Sequence, residues 1–167
     1  MNLNEHGLTL PEILIALFII SIGLVGLMVV VPVAAVGVQD GNQVSAATYL
    51  AQQRLEQARN AAWTEAPDVD CLGVSATLTD APVPNGATCD GSTATTFPDE
   101  ATGTIPGFGQ YSRTTRVTDC SVGAGCAGVV HDNLRLVTVT VGYRPLTATG
   151  VGASEKTVML HWMVSRR

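Results

Sequence analysis

A single carboxylate in this sequence stands where a carboxylate is costly. Glu12 sits at the mouth of an apolar run, and from Ile13 to Gln39 nothing ionises. A charge entering such a segment needs a cation, a path to water or a proton, so an acid there points to function. No Lys or Arg lies nearby in the chain. The nearest cation that could be made is the amino group released by cutting between Gly7 and Leu8. That amine would begin a helix with Glu12 about one turn in, so Glu12 would meet an amine supplied by a neighbouring copy or a partner. At about 4 Å and an effective dielectric of about 20, the contact is worth up to about 4 kcal/mol before desolvation.

Other residue types that could do chemistry are sparser. Cys71, Cys89, Cys120 and Cys126 all follow the apolar segment. Translocation would carry them together into an oxidising compartment, where disulfides persist. Of the three possible connectivities, Cys71 with Cys89 and Cys120 with Cys126 close local loops and are geometrically easiest. A four-thiolate metal site competes, but neither pair has the two-residue spacing of zinc ligands. Asp68, Asp70, Asp80, Asp90, Asp99 and Glu100 could include a calcium ligand set, although scattered loop carboxylates are more often solvated. His6, His131 and His161 are too dispersed for a zinc triad. The run Gly123-Ala124-Gly125-Cys126-Ala127-Gly128 matches a dinucleotide glycine pattern literally, yet no helix follows it. Neither a Gly-x-Ser-x-Gly elbow nor a phosphate-binding Gly-Lys-Ser/Thr loop occurs. We therefore expect no catalysis, no cofactor and no metal. Tyr111, Arg113, Arg116 and Arg135 could present a surface to DNA or an acidic partner, against the plainer reading of solvated strand residues. A formal charge of −5 offers no general basic field for nucleic acid.

The N-terminal residues carry a resemblance. A short polar leader ending in Gly7, a hydrophobic residue and Thr9 after it, Glu12, and an apolar run containing Ile15-Ala16-Leu17 resemble the signal of type IV prepilins and type II secretion pseudopilins. Ser21 to Leu27 and Leu50 to Arg59 resemble minor pilins of the PilV kind and their secretion counterparts of the GspI kind. The resemblance covers about the first 60 residues. It implies that a prepilin peptidase cleaves after Gly7 and N-methylates Leu8, and that Glu12 docks the subunit on the methylated amine of a neighbour. Other minor pilins and the major pilin become the implied partners. The implied location is the inner membrane, single pass with a periplasmic C-terminal domain, and then the pilus at the cell surface. Two features depart from the family pattern: Leu8 stands where Phe is usual, and the leader lacks Lys and Arg. A secretory signal cut after Gly37 is the competing interpretation, but its apolar region would far exceed the usual 7 to 15 residues.

These residues need elements to position them. The 27 residues from Ile13 to Gln39 reach roughly 40 Å as a helix, more than the ~30 Å of bilayer hydrocarbon. Seventeen Ile, Leu, Phe and Val residues from Ile13 to Val38 contribute about −5 to −10 kcal/mol toward insertion. We expect a leader at 1–7, a transmembrane and assembly helix at 8–39 and a globular domain at 40–167. Gly23, Gly26 and Pro32 weaken the first helix. After Asp40-Gly41-Asn42, the spacing of Val44, Ala47, Ala51, Leu55, Ala58 and Ala62 predicts an amphipathic helix at 42–62, with Gln52 and Arg54 outward or at a subunit contact. Residues 68–108 read as a loop pinned by the first disulfide, with at most short strands near Leu72 and Phe97. Alternation then predicts strands at 110–118, 134–143 and 156–164, ending in an exposed basic tip at Arg166-Arg167. The expected class is α+β: a long N-terminal helix packed on a small antiparallel sheet, pilin-like.

Overall fold

The structure, a computed structural model, describes residues 9–85, 89, 97–123, 126–145 and 154–167. It has one long helix, α1 (Leu10–Asn60), followed by β1 (Trp63–Thr64), β2 (Val69–Asp70), β3 (Tyr111–Asp119), β4 (Leu134–Tyr143) and β5 (Lys156–Ser165). The class is α+β, with a long apolar N-terminal helix and small antiparallel sheets, consistent with a pilin-like fold. By internal contacts the chain divides into Met1–Gly41 and Asn42–Arg167.

In the first unit, α1 continues through Gly23, Gly26 and Pro32. Nor does it stop at Asp40-Gly41-Asn42, where the sequence suggested a change of element. Helix propensity is a weak prior, and one glycine costs about 1 kcal/mol, too little to end a helix with strong formers on both sides. The large apolar side chains described from Ile13 to Val38 are between 46% and 77% exposed. A continuous apolar surface of this kind requires lipid or other chains around it.

The second unit buries its apolar residues. β3, β4 and β5 form a sheet in that order, antiparallel throughout, with Val117 opposite Val137 and Val137 opposite Trp162. One face carries Tyr111, Thr115 and Val117 of β3, Val137, Val139, Val141 and Tyr143 of β4, and Val158, Leu160 and Val164 of β5. The helix contributes Ala47, Leu50, Ala51 and Ala58 to the same core. Three alanines on this stripe let backbone and sheet approach closely, while each buried valine adds about 1.5–3 kcal/mol. The buried stripe differs from the expected one: Gln43, Leu50 and Arg54 lie within it, whereas Val44 is 40% exposed.

The segment read as a loop fills the rest of the core. Leu72, Phe97 and Ile105 are all buried there. β1 and β2 form a second, two-stranded sheet, with Trp63 opposite Asp70. Neither strand was foreseen as a pair, because two residues are too few to display a period. Gly73 permits the following turn: its φ is +70°, and a Cβ there would lie 2.5 Å from the Val83 carbonyl. Disulfides join Cys71 to Cys89 and Cys120 to Cys126, with Cα atoms 5.0 and 4.9 Å apart.

Candidate functional site

The start of α1 is built from Thr9, Pro11 and Glu12. The Thr9 carbonyl accepts the Glu12 amide at 3.0 Å and the Ile13 amide at 3.2 Å. Pro11 costs little here, since amides in a first turn have no intrahelical acceptor. Glu12 lies in that first turn, where the helix dipole favours negative charge. Its side chain is exposed, and among the described residues it forms no ion pair. Gly7 and Leu8, the expected cleavage and methylation positions, lie outside the described residues.

Every other acid singled out in the sequence and described here has a partner. Glu100 Oε2 accepts from Arg113 Nε at 2.6 Å and also pairs with Arg54. Arg113 Nη1 in turn donates to the Leu50 carbonyl at 3.0 Å and to Gln53 Oε1 at 3.1 Å. Backbone bonds of 2.8 Å in both directions between Glu100 and Arg113 complete the clamp. Helix, sheet and loop are therefore fastened at one carboxylate. Burial alone would raise the Glu100 carboxyl, but the hydrogen bonds and charges of Arg113 and Arg54 outweigh it and hold the group below its ordinary range.

A second cluster ties the small sheet to the large one. Asp70 receives Arg135 in fork geometry at 2.6 and 2.9 Å, and its Oδ1 also accepts the Gly73 amide at 2.9 Å. The Arg135 guanidinium lies 4.2 Å from the Trp63 ring centroid. For Asp70 too, burial works upward and is overcome, first by Arg135 and then by the Gly73 amide, so the carboxyl sits low. Asp99 chelates Arg116 at 2.6 and 2.8 Å, and Asp68 pairs with Arg166 at 2.6 Å. Asp80 accepts from Thr77 at 2.7 Å, and Asp90 lies outside the described residues.

These pairings correct three expectations. Arg54 is 6% exposed and is neither outward nor at a surface. Arg113 and Arg135, at 5% and 8% exposed, do not form a basic surface with Tyr111, itself buried. The C-terminal residues are not a free tip. Arg167 exchanges backbone bonds with Trp63 and Glu65, and its guanidinium donates to the Arg59 carbonyl near the end of α1 at 2.7 Å. A signal for the buried arginines was present. Arg113 shares strand parity with Tyr111, Thr115 and Val117, and Arg135 with Val137 and Val139, so both point to the apolar face. Carboxylates locked to guanidinium groups below their ordinary range are poor proton donors and have few lone pairs left for a cation.

Residues 2–28 match the family model described as Prokaryotic N-terminal methylation motif. The chain carries a prepilin-type methylation motif. Searches of curated proteins and of solved structures each found no match. The motif supports a type IV pilin-like or pseudopilin protein and implies processing by a prepilin peptidase and assembly with other pilins. Pilin-like structural proteins are not enzymes, and the motif marks the chain as a processing substrate. The motif and one apolar N-terminal helix, of mean hydropathy 3.1 over its best window, fit a membrane-anchored pilin.

Proposed function

We propose that this pilin-like protein is a minor pilin of the PilV kind, a structural subunit that primes assembly of a type IV pilus or decorates it. Prepilin peptidase cleaves after Gly7 and methylates the new amine of Leu8. Until then the subunit waits in the inner membrane with residues 40–167 on the periplasmic side. Glu12 then docks it, by pairing with the methylated amine of a neighbouring minor or major pilin. The observation that carries this reading is a motif match over residues 2–28 that includes Glu12, an acid exposed in the first helical turn and without an ion pair among the described residues. The apolar flank around it lowers the local dielectric and strengthens such a pairing.

Shearing filaments from cells that express a tagged chain tests the proposal. The tagged subunit is expected in the sheared fraction with the major pilin, at far below its abundance. A subunit absent from sheared pili, whose deletion instead abolishes protein export, would move the assignment to a GspI-like pseudopilin of a type II secretion system. A chain that remains in the membrane and affects neither process would be a tethered binding domain.

A further inference from the structure

The larger sheet has two edges, and the chain treats them differently. On the outer side of β3, Arg113 exchanges backbone bonds of 2.8 Å with Glu100, the Val117 carbonyl accepts the Ser75 amide at 2.9 Å, and the Val117 amide donates to Ser75 Oγ at 3.0 Å. That edge is covered. β5 is the last strand on the other side, and among the described residues no backbone bond reaches residues 157–165 from beyond it.

The outward groups of β5 can be assigned from the ladder. Arg113 and Val117 turn their amides and carbonyls away from β4, so Ser112, Thr114, Arg116 and Thr118 are the residues that bond to it. Along β4 the bonds toward β5 then fall to Arg135, Val137, Val139, Val141 and Tyr143, whose partners are Val164, Trp162, Leu160, Val158 and Lys156. Thr157, Met159, His161, Met163 and Ser165 therefore direct their N–H and C=O groups to the open edge. Natural edges are blunted by proline, charge or bulges. This one is ten residues long, pairs with β4 without a break, and has neither proline nor charge from 157 to 165.

Beside the edge, on the core side of the sheet, lies a groove of about 410 Å³ lined by Leu55, Glu56 and Arg59 of α1 and by Leu160 and Trp162 of β5. Trp162 is 48% exposed, with the Arg59 guanidinium 5.5 Å from its ring centroid. Trp and Arg are among the side chains that most often anchor interfaces. The rim charges Glu56 and Arg59 already pair with each other at 3.6 Å, so the groove offers an occupant no net charge.

We propose that this edge and groove accept an extended segment of a neighbouring pilin subunit as a fourth strand of the sheet, an inference that rests on the pilin reading above. The added backbone pairs with the five outward residues, and alternate side chains of the segment fill the groove. The segment is therefore aliphatic at every second position, uncharged where it pairs and free of proline at bonded positions. One wall of the groove is α1, the helix whose beginning carries the methylation motif, so the surface is continuous with the element that pilin assembly uses. Antiparallel self-pairing of two β5 edges is disfavoured by direction. The Tyr111 hydroxyl at the start of β3 donates to the Gln43 carbonyl, and Arg167 just beyond β5 donates to the Arg59 carbonyl, so this part of α1 runs the same way as both strands. A copy turned about a two-fold axis would carry its helix in reverse, which two subunits anchored in one membrane cannot do.

The test uses the full tagged chain in cells, with recovery in sheared filaments as the readout. Met159→Pro/Met163→Pro deletes two outward amides and spares the ladder to β4, whereas Met159→Ala/Met163→Ala trims the same side chains and keeps the amides. The proline pair is expected to insert in the membrane and fall about fivefold in filament recovery, and the alanine pair to match wild type. A chain with β5 unaltered guards against misfolding of the proline pair. A benzophenone side chain in place of Gln52, which also lines the groove, should cross-link to one extended peptide of a pilin, and one in place of the exposed Gln57 should not. Equal recovery of the two pairs in filaments that contain wild type, no adduct from position 52, or adducts only with a protein that is not a pilin would each overturn the added strand and leave the pilin reading standing. Wild type absent from filaments would overturn both.

Discussion

Glu12 and Glu100 are the same side chain in opposite circumstances. In the first unit an acid is exposed beside a run of lipid-like residues and has no partner among the described residues, while in the second a partly buried acid is clasped by two arginines. The units reverse each other in apolar surface as well, one leaving its large side chains open and the other enclosing them. Charge satisfied inside the chain stabilises the fold. Charge left without an ion pair beside an apolar segment adds nothing of that kind, and the proposed docking would give it a partner on a second molecule. The difference separates residues that hold the domain together from the residue that the proposed docking would use, and substitutions can probe each side independently.

The largest effect is expected at Glu12. Glu12→Ala should leave the chain in the membrane and lower its recovery in sheared filaments by more than about tenfold, because a net pair energy of only about 1.4 kcal/mol already corresponds to that factor. Glu56→Ala, which breaks only an exposed contact with Arg59 at 3.6 Å, should assemble normally. If both variants assembled alike, the contrast between the two regions would lose its meaning.

Glu100→Ala should do the reverse, sparing membrane insertion and weakening the domain. It strands two buried guanidinium groups, and losses of this kind run to about 3–5 kcal/mol. Glu100 retains some exposure, so we expect the lower end of that range in chemical denaturation. Next come the disulfides. The chain-entropy model assigns about 3 kcal/mol to a loop of 18 residues and about 2 to one of 6, so replacing Cys71 and Cys89 by Ser should lower stability more than replacing Cys120 and Cys126.

Acid should reveal the same clusters. Glu100 and Asp70 lie below their ordinary values of 4.5 and 3.8, so the unfolded chain binds their protons more readily than the folded one. Their contribution is complete above about pH 4.5, shrinks as pH falls below it, and is gone once the folded carboxyls have also protonated. Denaturation midpoints measured downward from pH 6 should fall in this window, and Glu100→Gln with Asp70→Asn should flatten the fall. The smallest effect belongs to Asp99→Ala. Its pair with Arg116 is largely at the surface, with the Asp99 side chain 43% exposed, and such pairs contribute about 0–1 kcal/mol.

Sequence patterning revealed the elements with a long period and missed those without one. Twenty-seven residues without an ionisable group, and three stretches alternating Val or Thr with polar neighbours, indicated α1 and the strands of the larger sheet directly. The segment between Asp68 and Phe108 has no period, so the burial of Leu72, Phe97 and Ile105 could not be read from it. Long-range pairing decides those positions. Arg113 and Arg135 were misplaced for a different reason: residue type was weighed above strand parity, and each buried cation depends on an acid distant in sequence, Glu100 or Asp70. The C-terminal arginines likewise find partners only once β1 and β5 come together. The place of Glu12 in the first turn of α1 was legible because its surroundings are local, an acid next to an uninterrupted apolar run.

The central claim is that a neighbour's methylated N-terminus answers Glu12, and intact mass spectrometry of the chain recovered from filaments tests it most directly. The account predicts a polypeptide beginning at Leu8 and heavier by one methyl group. A chain that begins at Met1, or one cut after Gly37, would contradict it.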